Sequence, residues 1–376
     1  MKAFLQFLQR AFKYFRNTKR VWRRPPRASL LIIDRGTASP LDEMFAHHKP
    51  HIMEIRGESV NMLALFRALP KIHLGAVAYL EAYIDFVKPK LILSRTDNNH
   101  TLWQLKRRPN VTYQVALVQN GWRLNNAQSF SVSSGLIDYK VDNAFIFSKA
   151  SRGIFASGSS ADLTECGSLM ANNYKRLLKK KKIKSVALIS TFRETKNGNY
   201  SSADVALKLF AKVLRDRDLL LEVAGSESRD LGHAAEREFY SASLYGCDWQ
   251  IARRSSPLSS YGLARETGIV IVESSSLGYE CLGMGMRVGF IAFRPQHRQD
   301  RRFGKPLEFG EKGPFWTNDP SEEEIGRILD YLLNVSDEQW ERDSGWIRDQ
   351  LMVHDYGNTK IRAYVEGVLT DSLESK

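Results

Sequence analysis

Short apolar runs rich in β-branched residues alternate with amphipathic segments along most of the chain. In the first half, the runs that predict buried strands are Leu30–Ile33, His51–Ile55, Leu91–Leu93 and Thr112–Val118, with shorter candidates at Ala144–Phe147 and Gly153–Ala156. Apolar residues at helical spacing predict helices over residues 60–69 and 74–86. This alternation is typical of parallel sheets whose strands are joined by helical crossovers.

A second series with the same alternation follows a run of lysines. Its predicted strands are Ser185–Ile189, Leu219–Ala224, Trp249–Ala252, Ile269–Val272 and Val288–Phe293. Helices are predicted over residues 204–214, 234–244 and 258–265, and helical patterns continue from 322 to 373. The two series predict an α/β fold of two doubly wound, Rossmann-like domains that face one cleft.

The pattern also predicts domain boundaries. We expect a basic amphipathic helix over residues 1–27, a first α/β domain over 28–174 and a basic linker over 175–184. A second α/β domain over 185–355 and a C-terminal helix over 356–376 would complete the chain.

Composition adds limits on the kind of site. A chain of 376 residues is long enough for two domains. The three cysteines are widely separated and odd in number, which argues against a disulfide framework or a zinc site and favours a reducing cytosolic setting. The net charge of +13 comes from two patches: nine basic residues and no acid in residues 1–27, and seven more in residues 175–184.

The N-terminal patch has helical periodicity. Its apolar positions recur at Phe4, Leu8, Phe12 and Phe15. Arg10, Lys13 and Lys19 occupy the other face, and such a helix suits the surface of an anionic membrane. We therefore expect residues 1–24 to bind a membrane, and the alternative is packing on the protein itself or on a partner. The lysine run is either a solvated linker or a second membrane contact.

The strand Ile269–Val272 ends in a hydroxyl-rich turn that opens a short helix. The turn contains three serines, Ser274, Ser275 and Ser276, and Gly278 and Glu280 lie early in the helix. Backbone N–H groups and the helix dipole at such an N-terminus favour anions, and Glu280 could accept hydrogen bonds from sugar hydroxyls. The segment predicts a nucleotide-diphosphate site, although serines at this position are also ordinary N-caps.

Other predicted strands also end in polar residues. In open α/β sheets, ligands bind outside the carboxyl ends of the strands. The second series offers Ser190, Thr191 and Gly225, and the first offers Asp34, Asp97, Asn98, Asn99, Asn120 and Gly121. Each of these positions is also compatible with plain turn chemistry.

Several blocks of sequence resemble a known family. TDNNHTLWQLKRR, VALVQNGWR, GSLMANNY and SSYGLARETGIVIVESSSLGYECLGMGMRVGFIAFR are similar to a bacterial family of surface-carbohydrate-biosynthesis transferases. That family is similar in turn to GT-B glycosyltransferases and to relatives that transfer glycerol phosphate or epimerise nucleotide sugars. The resemblance spans roughly residues 30–300 and leaves out the basic N-terminal segment. Ser276 stands where the family pattern has threonine, which keeps the hydroxyl.

The resemblance implies a nucleotide-sugar donor on the second domain and a glycan or lipid-linked acceptor on the first. The donor-binding residues would be Ser274, Ser275, Ser276, Gly278, Glu280, Ser190, Thr191, Arg193 and Gly225. Arg193 would act as a second phosphate clamp. Asn98, Asn99, Asn120 and Gly121 would lie on the acceptor side. Enzymes of this type as a rule use no metal and no separate cofactor.

Transfer to a hydroxyl requires a general base within hydrogen-bond reach. Asp97 and Asp34 are candidates because both end strands of the first domain, and His100 lies beside Asp97 in the sequence. Asp97 is as easily part of an Asx turn, and Asp34 could simply pair with Arg35 or with a neighbouring helix.

The predicted function is glycosyl transfer to a surface-polysaccharide or lipid-linked acceptor, at the cytoplasmic face of the cell membrane. The alternatives on the same fold are a glycerol-phosphate-type phosphotransferase and a nucleotide-sugar epimerase. A non-enzymatic alternative is nucleic-acid binding through the two basic patches. No RNA-stacking or helix-turn-helix pattern accompanies those patches, so we expect no nucleic-acid partner.

Overall fold

The structure is a computed structural model. It describes residues 18–108, 110–125, 130, 139–177, 185–190, 192, 204–225, 233–252, 256, 258–294, 303–304, 307 and 309–370. The chain divides into two compact units. The first comprises Met1–Ile146, Arg152–Leu169 and Asn358–Lys376, and the second comprises Phe147–Ser151 and Met170–Gly357.

The first unit is built on a parallel sheet. Its strands are β1 (Lys19–Val21), β2 (Leu30–Ile33), β3 (His51–Met53), β4 (Ser59–Asn61), β5 (Leu91–Ser94), β6 (Gln114–Val118), β7 (Lys140–Ile146) and β8 (Ser160–Glu165). Six of them form one sheet in the order β3-β2-β5-β6-β7-β8, and every neighbouring pair is parallel. β1 and β4 form a separate parallel pair.

Helices cover the first sheet. α1 (Leu41–Met44), α3 (Ala76–Val87) and α4 (Lys149–Gly158) contribute buried residues to its two faces, and the start of α4 is counted with the second unit. α2 (Met62–Ala68) packs on α3. The C-terminal helix, Thr359–Thr370, also belongs to this unit. Its residues Ile361, Val365 and Leu369 are buried in one cluster with Leu30 and Ile32 of β2. Thr359–Thr370, the last helix of the described residues, therefore completes the core around β2.

The second unit is built on a seven-stranded sheet. Its strands are β9 (Ser185–Ile189), β10 (Leu220–Ala224), β11 (Trp249–Ile251), β12 (Ile269–Val272), β13 (Arg287–Ile291), β14 (Lys312–Gly313) and β15 (Trp316–Thr317). Their order is β11-β10-β9-β12-β13-β15-β14, and only the pairing of β14 with β15 is antiparallel. Its helices are α5 (Asp204–Arg215), α6 (His233–Ser243), α7 (Ser259–Thr267), α8 (Ser276–Gly283), α9 (Glu322–Asn334) and α10 (Asp337–Leu351).

The predicted α/β class with parallel sheets is confirmed, two local predictions are wrong, and one strand was missed. Gly153–Ala156 lies within α4 and is not a strand, whereas the polar edge strand β8 was not predicted. The N-terminal helix does not extend to residue 27, because Lys19–Val21 forms β1. Residues 1–17 of that predicted helix and residues 178–184 of the lysine run lie outside the described residues. None of the described helices combines the length and the apolar character needed to cross a membrane.

Candidate functional site

The strand order of the second unit reverses between β9 and β12. β10 and β11 lie on one side of β9, and β12 and β13 follow on the other. Such a reversal opens a crevice at the carboxyl ends of the strands, where α/β proteins bind ligands. Ser190 follows β9, Gly225 follows β10, and the serines at 274–276 follow β12. These predicted donor residues therefore lie along three adjacent strand ends of one sheet.

The serine turn forms the N-terminus of α8. Ser275 is the N-cap residue, and its Oγ accepts a hydrogen bond from the backbone N–H of Leu277 at 3.3 Å. A Cβ placed on Gly278 would lie 2.4 Å from Cγ1 of Val272, so α8 rests directly on the last residue of β12. The absence of a side chain at 278 allows this approach and keeps the first turn of α8 against the strand end.

Glu280 lies on the buried side of α8. The side chain is nearly inaccessible and accepts a hydrogen bond from the hydroxyl of Tyr261 in α7. The ring of Tyr261 stacks on Tyr174, with centroids 5.6 Å apart, and the guanidinium of Arg265 lies 5.4 Å from the Tyr174 centroid. Glu280 thus links α8 to α7, and its contact with a sugar hydroxyl stays a prediction.

The end of β9 is tied into the interior of the second unit. Ser190 is buried, and its Oγ contacts the carboxylate of Glu236. Tyr240 donates its hydroxyl to the same Oγ at 3.0 Å, and the backbone N–H of Phe192 donates at 3.1 Å. The hydroxyl of Ser190 therefore connects the end of β9 to α6 through Glu236 and Tyr240. The other two donor candidates near this strand, Thr191 and Arg193, lie outside the described residues.

The first sheet also reverses its order, between β2 and β5. β3 lies on one side of β2, and β5 to β8 follow on the other. Asp34 follows β2 and Asp97 comes shortly after β5, so the two predicted bases flank this second switch point.

Asp34 is held in an ion pair. Its carboxylate accepts hydrogen bonds from Nη2 of Arg56 at 2.6 Å and from the hydroxyl of Thr96 at 2.7 Å. The backbone N–H of Gly36 donates to the same carboxylate at 3.1 Å. Burial alone would raise the pKa of Asp34, but the hydrogen bonds from Arg56 and Thr96 and the charge of Arg56 lower it below the usual value. Such a carboxylate is a weak proton acceptor.

Asp97 is fully buried against Arg123. Nη2 of Arg123 donates to Oδ1 at 2.7 Å, Nε donates to Oδ2 at 3.0 Å, and the backbone N–H of Asn120 donates to Oδ1 at 2.9 Å. Burial raises the pKa of Asp97, and the positive charge of Arg123 opposes this shift. Arg123 also donates to the side-chain oxygen of Asn120 at 2.7 Å. With this geometry, Asp97 orients Arg123 and Asn120 at the edge of the sheet.

The remaining residues of the predicted acceptor side are more accessible. Asn98 and His100 are exposed, and Asn99, Asn120 and Gly121 are half-buried. Asn99 accepts a hydrogen bond from the backbone N–H of Thr101 at 3.1 Å, which is an Asx turn. Among the three candidate bases, His100 is the one whose side chain reaches solvent.

A protein family matches most of this sequence. The match covers residues 116–368, and the family is described as "putative O-antigen biosynthesis protein". The chain belongs to this family. O-antigen biosynthesis is a branch of surface-carbohydrate biosynthesis, so the predicted family resemblance is confirmed. No curated protein matches the sequence.

Several solved structures are similar to this chain over most of its length. The chain is similar to S. aureus MnaA in complex with UDP, at 12% identity and a TM-score of 0.55 over 94% of this chain and 97% of MnaA. A UDP-N-acetylglucosamine 2-epimerase is similar at 14% identity and a TM-score of 0.52, over 93% and 98% of the two chains. The wall teichoic acid polymerase TagF soaked with CDPG is similar at 12% identity and a TM-score of 0.53, over 93% and 90%. These similarities confirm a GT-B-like fold.

Three buried carboxylates at the described strand ends pair with arginines that were not predicted as their partners. Two of these pairs are Arg56 with Asp34 and Arg123 with Asp97. The third is in the second unit, where the buried side chains of Glu273 and Arg294 pair across the ends of β12 and β13, and the backbone N–H of Arg294 donates to Glu273 at 2.8 Å. A sequence signal existed, since each of the three arginines lies within a few residues of the end of a predicted strand.

Among the described residues, the side chains that could hold a metal ion and the serine turn belong to different units. Within the described residues, one group of suitable side chains comes together: His47 and His48 contact the two oxygens of Glu366 at 3.0 and 2.9 Å. His47 and His48 precede β3, so they lie toward the amino ends of the strands of the first sheet. The sequence also contains an Asp-Arg-Asp triplet at 216–218, which precedes β10 at the amino edge of the second sheet. Its arginine pairs with Asp330 at 2.7 Å.

Proposed function

We propose that the protein is a metal-independent glycosyltransferase that moves a sugar from a nucleotide-sugar donor to a glycan or lipid-linked acceptor. The observation that carries this proposal is the serine-rich N-terminus of α8 at the switch point of the second sheet. It occurs in a chain that belongs to a family of O-antigen biosynthesis proteins. Assembly of such a carbohydrate requires enzymes that form glycosidic bonds.

The donor diphosphate would bind at the first turn of α8. Its negative charge suits the backbone N–H groups and the positive end of the helix dipole, which together offset leaving-group charge without a metal ion. Ser274 and Ser276 flank the N-cap residue and supply hydroxyls at the same turn. The pair of Glu280 and Tyr261 would face the ribose or the sugar. The complexes of MnaA with UDP and of TagF with CDPG support a nucleotide diphosphate as a ligand for this fold.

The acceptor hydroxyl would lose its proton to His100. Asp34 is committed to Arg56 and Asp97 to Arg123, whereas the side chain of His100 is exposed at the same sheet edge. In this arrangement Asp97 orients Arg123, and Arg123 binds the acceptor or its phosphate. His100→Gln should lower kcat at least about a hundredfold and leave donor affinity unchanged. Full activity of His100→Gln would show that the general base is another residue.

The donor site can be tested with matched N-cap variants. Ser275→Ala removes the cap of α8, and Ser336→Ala removes the equivalent cap of α10, where Ser336 Oγ accepts from the backbone N–H of Gln339. Each variant should lose about 1 kcal/mol of stability. Calorimetry with UDP, CDP and GDP should show weaker nucleotide binding for Ser275→Ala alone. Equal affinities in the two variants would refute the assignment of this site.

A second candidate function is nucleotide-sugar epimerisation. It is favoured by the similarity to UDP-N-acetylglucosamine 2-epimerase over nearly the whole of both chains. An epimerase converts the donor without any acceptor, so NMR of the protein with a nucleotide sugar alone separates the two functions. A phosphotransferase of the TagF kind would instead release a nucleoside monophosphate. Formation of an epimerised nucleotide sugar or of a nucleoside monophosphate would refute the glycosyltransferase proposal.

We also propose that the protein acts at the cytoplasmic face of the cell membrane, where a lipid-linked acceptor would be available. The basic, amphipathic pattern of residues 1–24 supports this location. Fractionation of cells that express the protein tests it, and recovery of all the protein away from membranes would contradict it.

A further inference from the structure

An exposed apolar surface lies on the first unit, where the end of β1 meets α2. Trp22 directly follows β1 and is 60% exposed, Phe66 in α2 is 51% exposed, and Leu69 is 48% exposed. The ring centroids of Trp22 and Phe66 lie 6.1 Å apart. Phe66 and Leu69 are three residues apart and therefore share a face of the helical segment. We call these three residues the Trp22 surface. Contiguous exposed apolar side chains mark interaction sites.

A single buried side chain fixes both halves of the Trp22 surface. Asn61 Nδ2 donates to the backbone carbonyl of Arg23 at 2.8 Å, next to Trp22. Asn61 Oδ1 accepts from the backbone N–H of Ala64 at 3.0 Å and so caps α2, which carries Phe66. The parallel pairing of β1 with β4 adds to this connection. These contacts hold Trp22 and Phe66 in fixed positions relative to each other.

The surroundings of the Trp22 surface are basic. Residues 18–27 and 59–75 contain no acidic residue. The exposed cations on these segments are Lys19, Arg20, Arg23, Arg24, Arg27, Arg67 and Lys71. Arg24 and Arg67 each lie 5.3 Å from the ring centroid of Phe86, and Arg67 also contacts Asp85 at 3.2 Å. Within the described part of the chain, the other five make no ion pair with a carboxylate.

We propose that the Trp22 surface docks on an anionic membrane. Trp22, Phe66 and Leu69 enter the boundary between headgroups and acyl chains, and the surrounding arginines and lysines lie on lipid phosphates. Exposed apolar side chains surrounded by exposed cations complement an anionic lipid surface in both charge and polarity. The inference deepens the proposed function and rests on it for the biological reason, because a lipid-linked acceptor is reached at a membrane. The binding itself needs no donor or acceptor.

The test uses the full chain with one reporter cysteine. In a Cys247→Ser background the other two cysteines are buried, so a cysteine introduced by Leu69→Cys can be labelled with a polarity-sensitive fluorophore. The matched control is Tyr245→Cys, because Tyr245 is 87% exposed on the second unit. Vesicles of phosphatidylcholine with 30% phosphatidylglycerol should shift the emission of the Leu69→Cys label to shorter wavelength. Neutral vesicles, or the Tyr245→Cys label, should give no shift.

Substitutions provide a second measurement. The double variant Trp22→Ala, Phe66→Ala should reduce partition into the anionic vesicles at least about tenfold. Arg23→Gln should reduce it about fivefold and weaken its dependence on salt. Tyr245→Ala and Arg237→Gln change exposed residues of the second unit and should leave partition unchanged.

Two outcomes would overturn the proposal. The first is a protein that binds the vesicles while the Leu69→Cys label stays in water, because the contact would then lie on residues 1–17 or elsewhere. The second is the absence of partition into anionic vesicles at low salt. Nucleotide is omitted throughout, so a failure of the donor site would leave these results unaffected. Circular dichroism confirms that each variant is folded.

Discussion

The contact between Gly278 and Val272 allows a quantitative test of the α8 site. In Gly278→Ala the new Cβ would lie 2.4 Å from Val272 Cγ1 and 3.0 Å from Val272 Cβ and Cγ2, whereas carbon atoms in contact are about 3.5–4.0 Å apart. Val272 is 1% exposed at the end of β12, so its side chain is packed against neighbouring residues. α8 must therefore move by about 1 Å. Overpacking of this kind costs about 1–3 kcal/mol, and the better helix propensity of alanine offsets about 1 kcal/mol.

Two measurements follow for Gly278→Ala. Urea unfolding should show a net loss of up to about 2 kcal/mol, and calorimetry should show nucleotide affinity weakened about tenfold, because the N–H groups at the start of α8 have shifted. The control is Gly262→Ala in α7, where an added Cβ meets nothing within 4 Å. It should gain about 0.5–1 kcal/mol and bind nucleotide normally. If both variants are stabilised alike, the close approach of α8 to β12 does not constrain the site.

Three further predictions concern buried ionisable groups. Asp97→Asn leaves the largely buried guanidinium of Arg123 without a counter-charge and should cost about 3 kcal/mol in urea unfolding; a variant as stable as the native protein would show that the pair is not a buried ion pair. Because the pKa of Asp34 is lower in the folded protein than in the unfolded chain, its stabilising contribution is fully present above about pH 4 and is lost as the pH falls through the folded-state pKa. Unfolding free energies between pH 2 and 6 should therefore depend less on pH in Asp34→Asn, and an unchanged acid profile would argue against the Arg56 ion pair. Burial raises the pKa of Cys247 to about 11 and raises that of fully buried Cys281 further, so thiol titration at pH 8 should modify Cys247 slowly and Cys281 only after unfolding. Rapid modification of Cys281 in the folded protein would contradict its burial.

The strands that were predicted best are those buried on both faces. β2 and β12 were predicted to the residue because central parallel strands are uninterrupted apolar runs. β8 lies at the edge of the first sheet with a single neighbouring strand. Its residues are largely polar, so it has no apolar run that would predict a strand. The run Gly153–Ala156 is apolar but short, and at that length a strand and a turn of helix look alike.

At the site, positions could be predicted but partners could not. The rule that ligands bind at carboxyl strand ends located Asp34, Asp97 and the serine turn from the sequence alone. The choice of partner depends on how strands and loops meet in three dimensions. Asp34 pairs with Arg56, whereas the adjacent Arg35 pairs with Glu54 at 2.8 Å. In the same way, the hydrogen bond from Tyr261 to Glu280 joins two helices and has no local sequence signature.

The C-terminal helix has a consequence for how the protein is made. Ile361, Val365 and Leu369 cover the face of the first sheet that contains Leu30 and Ile32. During synthesis β2 leaves the ribosome early, but the C-terminal helix leaves it only after the whole second unit. The contacts of that helix with β2 therefore form late. Although Leu41, Met44 and Phe45 pack in the same cluster, part of this apolar face stays uncovered through most of translation, and exposed apolar surface of this kind favours aggregation. A fragment ending near residue 169 would lack Ile361, Val365 and Leu369, so we expect the first unit to be more soluble when residues 358–370 are supplied with it.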